Sequence, residues 1–106
     1  MKRKLLYRPE ALADLSDTET YTRFTWASEQ AKCYIAALVS DIKLLRVSAL
    51  QNPPYESVYL GLRRKRSGMH HVYYLTSGDI VEVLKIIHVQ RDPGTHLRVE
   101  TWRDEA

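Results

Sequence analysis

The residues Asn52, Pro53 and Pro54 divide the chain into two parts of different periodicity. Proline lacks a backbone N–H and disfavours a helical conformation in the residue before it, so a helix cannot continue through this point. Before it, apolar residues recur every three or four positions, whereas after it they alternate as in strands. The helices are therefore predicted to lie before this point in the sequence, and most of the strands after it.

The first part of the chain opens with a short apolar segment around Leu5 and Leu6, which Pro9 ends, and we interpret it as a first strand. Pro9 suits the first turn of a helix, where its missing N–H costs nothing. Helix one is predicted from Pro9 to Trp26 with a thin apolar face, and we expect Tyr21 and Trp26 to lie in the core.

A second helix is predicted from an N-cap at Ser28 to the region of Asn52. Its apolar residues recur at spacings of three and four, which is the pattern of an amphipathic helix: Ala31, Ile35, Leu38, Ile42 and Leu45. A short link to helix one makes the two helices a hairpin.

Three strand candidates follow the prolines, each rich in Val, Ile, Tyr or Leu: Ser57 to Arg64, His70 to Thr76, and Ile80 to His88. Short turn segments at Ser67-Gly68 and at Ser77-Gly78-Asp79 separate them, which favours antiparallel neighbours. The last strand is apolar on both faces near its end, so we expect it inside the sheet.

The predicted fold class is α+β with the order β-α-α-β-β-β, in which a helical hairpin packs on one face of a small antiparallel sheet. A chain of 106 residues has room for one core. We therefore predict one domain over residues 1–96 and a C-terminal tail over residues 97–106.

Composition indicates a folded protein, since 44% of the residues are hydrophobic. Cys33 is the one cysteine and cannot form an internal disulfide, and we find no signal peptide and no apolar run of membrane-spanning length. The cytoplasm is the expected location, without membrane contact. No metal-ligand spacing, phosphate-binding glycine loop or nucleophile elbow is present in the sequence, so we expect no metal and no cofactor.

Positive charge is concentrated in the consecutive residues Arg63, Arg64, Lys65 and Arg66. Such a run attracts nucleic acid and acidic proteins through the same Coulomb interaction. It is also a common way to protect the edge of a sheet from aggregation. The run alone does not choose between these functions.

A series of short motifs runs in a fixed order from Leu6 to His96. It consists of Tyr7 to Ala11, Ala13 to Leu15, Tyr21, Trp26, Glu29 to Ala31, Asn52-Pro53, Gly61 to Arg64, Gly68, Val72 to Tyr74, and Val83 to His88 with Arg91-Asp92. The series resembles the ParE-type toxins of the RelE/ParE superfamily. The sequence departs from the family's pattern at Thr18 and Thr20 on helix one, at Pro54-Tyr55, and in the tail.

The resemblance implies the toxin of a type II toxin–antitoxin system, neutralised by a cognate ParD-like antitoxin in a hetero-oligomer. The target it implies is DNA gyrase, trapped with its DNA broken by binding rather than by an enzymatic reaction of the toxin. DNA would then be contacted only indirectly, through gyrase.

Fold alone does not decide the target, because toxins of the same architecture cut messenger RNA on the ribosome. That ribonuclease alternative needs an acid–base group near a cation, and its candidates here are His88 and Arg64. Against it, the context of His88 favours a structural role, with the neighbouring backbone or Asp92 as hydrogen-bond partner. His70 and His71 face opposite sides of a strand.

The aromatic pair Tyr73 and Tyr74 is interpreted as core, and a catalytic role for Cys33 is not expected. A nucleic-acid-binding module that uses the basic run against phosphates is the third alternative. For contact with the target, the sequence nominates cations and one aromatic residue: Arg63, Arg64, Lys65, Arg66, Arg91, Arg98 and Trp102.

Overall fold

The computed structural model describes residues 2–56 and 59–97. Its elements follow the predicted order, with a short 3₁₀ turn and a short last helix added: β1 Lys4–Tyr7, α1 Pro9–Thr25, α2 Ser28–Ser48, a 3₁₀ turn Ala49–Gln51, β2 Arg63–Ser67, β3 His70–Ser77, β4 Ile80–His88 and α3 Pro93–His96. The α+β fold class is confirmed.

The four strands form a sheet in the order β1-β4-β3-β2. The antiparallel meander of β2, β3 and β4 is confirmed, as is the interior position of β4. The expectation of a purely antiparallel sheet is wrong for β1, which pairs parallel to β4 from Lys4 opposite Ile80 to Tyr7 opposite Val83. The chain between β1 and β4 contains the helical hairpin, β2 and β3, so it exceeds the dozen or so residues that a parallel connection requires.

Two predicted boundaries are corrected by local geometry. The second strand was predicted from Ser57 to Arg64 but begins at Arg63 and includes Ser67, which pairs with His70. The turn is formed by the next two residues because Gly68 has a φ of 58°, a conformation that glycine adopts without steric cost. Ser28 is the first helical residue of α2 rather than its N-cap, and no side chain caps this end.

The core is split between the two faces of the sheet. On the helix face, α1 and α2 pack over one cluster of buried residues: Ala11, Leu38, Ile42, Leu45, Ala49, Val72, Tyr74, Val81, Val83 and Ile86. On the outer face lies a smaller cluster: Leu62, Tyr73, Leu84, Ile87 and Leu97. The two tyrosines are therefore core residues, as expected, and Leu97 is buried although it was assigned to the tail; the boundary at residue 96 stays a prediction.

Helix α1 has the thin apolar face that was predicted, since two of its three buried residues are Thr18 and Thr22. The hydroxyl of Thr22 donates to the carbonyl of Glu19 at 3.0 Å, which removes the cost of an unpaired buried hydroxyl. The expectation that Tyr21 lies in the core is wrong, because Tyr21 is off this stripe and 65% exposed; Phe24 is 88% exposed.

No helix in the described part of the chain is both long and apolar enough to span a membrane.

Two side chains of α2 hold the hairpin of β2 and β3 against the helix. The hydroxyl of Tyr34 accepts from the backbone N–H of Met69 at 2.9 Å, and the carboxylate of Asp41 accepts from the hydroxyl of Ser67 at 2.6 Å. Tyr34 lies so close to the turn that a Cβ on Gly68 would be 2.7 Å from its Cε1 atom. Only glycine fits at this point of contact.

We expect Gly68→Ala to destabilise the protein by roughly 2–4 kcal/mol, because it adds overpacking to an unfavourable backbone conformation. Gly78→Ala is a matched control, since Gly78 has φ 59° but nothing within 4 Å of the added Cβ; it should cost about 1 kcal/mol. Urea unfolding measures both. Equal losses would contradict the contact with Tyr34, and in a Tyr34→Ala background the two substitutions should become equal.

Candidate functional site

An open cleft of about 660 Å³ lies between α1 and the ends of β3 and β4. Helix α1 forms one wall, and the strands and the segment after β4 form the other. Its lining is mostly polar: Asp14, Asp17, Thr18, Tyr21, His70, Lys85, Ile86, Ile87, His88, Gln90 and Arg91. The volume is in the range of ligand-binding clefts.

Asp14 fixes the helical wall of the cleft to β4. Its two carboxylate oxygens accept from the side-chain nitrogen of Lys85 at 3.1 Å and from the backbone N–H of Ile86 at 3.0 Å. Strand β1 pairs with β4 only as far as Val83, so Asp14 supplies the acceptor that the backbone needs beyond that point. The carboxylate also neutralises Lys85 inside the cleft.

His70 and His88 lie opposite each other on β3 and β4, with ring centroids 5.3 Å apart. The Nδ1 atom of His70 is 2.6 Å from the hydroxyl of Tyr34. The Nδ1 atom of His88 accepts from the backbone N–H of Gln90 at 3.1 Å, which confirms a backbone partner for His88. The other expected partner, Asp92, instead caps α3 by accepting from Gly94 N at 3.1 Å.

The pKa of His70 is lowered from 6.5 to about 4. Burial is the largest cause, and electrostatic interactions with His88 and Arg91 add to it. Both effects disfavour the protonated imidazole. His70 is therefore neutral at pH 7.

The basic run of β2 is divided between the two faces of the sheet, because side chains alternate along a strand. Arg63 donates to the carbonyl of Asn52. Arg64 lies 4.1 Å from the ring centre of Tyr55 and donates to the hydroxyl of Tyr73 at 3.4 Å. These two arginines thus make contacts within the fold. Lys65 is half-buried, and Arg66 is exposed but donates from Nε to the carbonyl of Gly68 at 2.9 Å.

A comparison with protein families matches residues 5–93 to the family described as the ParE toxin of the type II toxin–antitoxin system parDE. The chain belongs to the ParE toxin family. It is 34% identical to Toxin ParE1 of Caulobacter vibrioides over 87 residues, which are 82% of this chain and 90% of that protein. It is 33% identical to Toxin ParE of Escherichia coli over 89 residues, or 83% and 86% of the two chains.

Solved structures of a ParDE system and of a RelBE2 complex contain chains with the fold of this protein. A chain of the chromosomal ParDE system from P. aeruginosa has a TM-score of 0.72 at 20% identity and covers 82% of this chain and 96% of its own. A chain of the RelBE2 toxin–antitoxin complex from Mycobacterium tuberculosis has a TM-score of 0.57 at 16% identity, with 83% and 99% covered. The chain is a toxin of the RelE/ParE superfamily.

The pair nominated for ribonuclease chemistry in this ParE-family chain is not brought together. His88 lines the cleft on the helix face, whereas Arg64 contacts Tyr73 on the outer face. The imidazole near Arg64 is that of His71, whose pKa is lowered first by burial and then by Arg64 and Arg66. Arg91 is exposed at the cleft, and Arg98 and Trp102 lie outside the described residues.

Two residues that shape the site, Asp14 and Tyr34, were not nominated from the sequence. Asp14 lies within the motif Ala13 to Leu15, and Tyr34 lies in the second predicted helix. Their partners are 71 to 72 and 33 to 36 residues away in the chain, and no local pattern indicates such contacts. Among residues 2–56 and 59–97, no three His, Cys, Asp or Glu side chains are placed to hold a metal ion, and Cys33 is exposed.

We expect the free energy of unfolding to fall as the pH drops from about 6.5 to 4, in part because of His70. The folded-state pKa of His70, about 4, is below its ordinary value of 6.5, so the unfolded chain takes up a proton in this window while the native protein does not. Chemical denaturation at several pH values measures the loss. In His70→Gln the loss should be smaller, and an unchanged pH dependence would contradict the assignment.

Proposed function

We propose that this ParE-family toxin binds DNA gyrase and traps the complex of gyrase with cleaved DNA, acting as an inhibitor and not as an enzyme. The observation that carries the proposal is the match to the ParE family over residues 5–93. The matched range contains β2, β3 and β4, and so it includes Arg64 and His88, the residues nominated for a ribonuclease activity. In this proposal the toxin acts in the cytoplasm, where gyrase is found.

Cations on the edge strand, at the cleft and in the tail are the proposed contacts with gyrase. Lys65 and Arg66 lie on the edge strand of the sheet, and Arg91 lies at the mouth of the cleft. Arg98 and Trp102 in the tail belong to the same proposal, with Trp102 as an aromatic anchor. Arg63 and Arg64 contribute mainly by holding β2 in place, since their guanidinium groups bond within the fold. DNA is contacted through gyrase.

A ParD-like antitoxin is the proposed partner that keeps the toxin inactive in a hetero-oligomer. Such a partner is proposed to cover large apolar side chains that the fold leaves exposed, among them Leu12, Tyr21, Phe24, Leu44, Val47, Leu50 and Leu60. A groove of about 430 Å³ between α1 and α2, with Ala31, Ile35 and Ala36 in its lining, suits a side chain of a bound helix.

A messenger-RNA endoribonuclease is the second candidate. The observation that favours it is the position of His71 beside Arg64 and Arg66 on the outer face, where an imidazole and two cations could act on a phosphodiester. In this form the activity would use His71 in place of His88. The chain's ParE relatives make it the weaker candidate.

The first test is a gyrase supercoiling and DNA-cleavage assay with purified, antitoxin-free protein, run beside a translation reaction in which the message is probed for cuts. We expect supercoiling to fall and broken DNA to accumulate, because the toxin stabilises the cleaved state, while the message stays intact. Normal gyrase activity together with a cut message would reject the gyrase proposal and make Arg64, His71 and His88 the residues to substitute.

Charge reversal tests the contact surface. We expect the double substitution Lys65→Glu and Arg66→Glu to raise the toxin concentration needed for gyrase inhibition by about tenfold or more, because like charges then face the target. Lys32→Glu with Lys43→Glu is the matched control, since both lysines are exposed on α2 and the change in net charge is the same. Equal effects of the two pairs would show that only overall charge matters. Deletion of residues 98–106 tests the tail in the same assay.

A further inference from the structure

In the cleft between α1 and β4, the Nδ1 atom of His70 already has a hydrogen-bond partner, the hydroxyl of Tyr34. The hydroxyl of Tyr34 has one proton and accepts from Met69 N. Its other neighbours are the carbonyl of Ser67 at 3.5 Å and Nδ1 of His70 at 2.6 Å. The shorter contact is the one the phenol donates to, so neutral His70 carries its proton on Nε2.

His88 is oriented in the same way by the backbone. An amide N–H only donates, so Nδ1 of His88, which receives the N–H of Gln90, holds a lone pair. Its proton in the neutral form is therefore also on Nε2. Both rings line the cleft, and the described hydrogen bonds of the fold use the Nδ1 atom of each. The Nε2 atoms are thus the N–H donors that these two neighbouring rings can offer to a ligand.

The charges around these donors favour a ligand with a single anionic group over a nucleic-acid strand, which carries many. Arg91 lines the cleft and is exposed, so it can bind an anion that reaches His70 and His88. On the opposite wall, Asp17 is exposed and Asp14 is already paired with Lys85. A nucleic-acid strand would bring successive phosphates past these carboxylates and be repelled, whereas a single carboxylate would not.

An aromatic stripe on α1 continues from the cleft. Asp17, Tyr21 and Phe24 are four and three residues apart, which places them along one side of the helix. Tyr21 lines the cleft, and the core uses little of its ring or of that of Phe24, since they are 65% and 88% exposed. Exposed aromatic residues beside an arginine are typical of protein interfaces.

We propose that this cleft receives a carboxylate side chain from a protein segment whose adjacent apolar side chain covers Tyr21 and Phe24, and that the segment belongs to the antitoxin. The carboxylate binds His70, His88 and Arg91. Only the identity of the partner as the antitoxin rests on the proposed function; the ligand chemistry rests on the cleft. A bound segment covers Arg91, which is a proposed gyrase contact, and so neutralises the toxin by competition.

The probe is an acetylated and amidated Leu-Glu-Leu tripeptide, titrated into protein labelled with ¹⁵N-histidine. We expect the side-chain NMR signals of His70 and His88 to shift on binding, and the neutral Leu-Gln-Leu peptide to bind about tenfold more weakly because it lacks the charge. Arg91→Gln should weaken binding of the glutamyl peptide by a similar factor. The control Arg23→Gln removes an exposed cation of α1 that lies outside the cleft, and it should leave binding unchanged.

Tyr34→Phe tests the positioning of His70 separately from its charge environment. With the hydroxyl removed and folding checked by near-ultraviolet circular dichroism, the ¹⁵N signals should show both tautomers of His70, and the peptide should bind several-fold more weakly. A single unchanged tautomer would overturn the assigned role of Tyr34.

Three results would overturn the ligand assignment: no histidine shift with the glutamyl peptide, equal binding of the two peptides, or tighter binding of a ten-nucleotide oligothymidylate. The last would identify the cleft as a nucleic-acid site. Neither gyrase nor antitoxin is present in this experiment, so its failure is distinguishable from failure of the gyrase proposal.

Discussion

The contact between Tyr34 of α2 and the turn after β2 is the interaction on which the functional surfaces depend. One hydroxyl accepts from the backbone of the turn and bonds to His70, so the same atom fixes the hairpin and one wall of the cleft. The basic side chains of β2 are presented at the edge of the sheet because the hairpin is held in this way. Gly68 allows this contact because it has no side chain, and a Cβ at that position would clash with the ring of Tyr34.

The two faces of the sheet have different chemistry as a result of strand alternation. On the helix face, polar residues at the start of β3 and the end of β4 meet α1 in the cleft, and the internal pairing of Asp14 with Lys85 leaves Arg91 as the cation at its mouth. On the outer face, Arg64 is bound over Tyr55 near His71. A run that reads as one basic patch in the sequence therefore serves two surfaces, with a different set of cations on each.

Much of the fold follows from local sequence patterns. The stripe of α2, the turns at glycines and the two-sided apolar pattern of β4 each depend on near neighbours, and they were predicted within a few residues. The parallel pairing of β1, the exposure of Tyr21 and the separation of His88 from Arg64 depend on contacts between distant segments. Thr18 and Thr22 illustrate the difficulty, since threonines take core positions on α1 while the aromatic residues beside them face outward.

The pairing of the first strand with the last has a consequence for how the protein is made. Residues 4–7 find their partners only at residues 80–83, so the sheet cannot close until nearly the whole domain has left the ribosome. Contacts between such distant segments also slow folding. A partly synthesised chain lacks both the closed sheet and the cleft that α1 forms against β4. The cleft and the surfaces around it therefore form only after β4 has been synthesised.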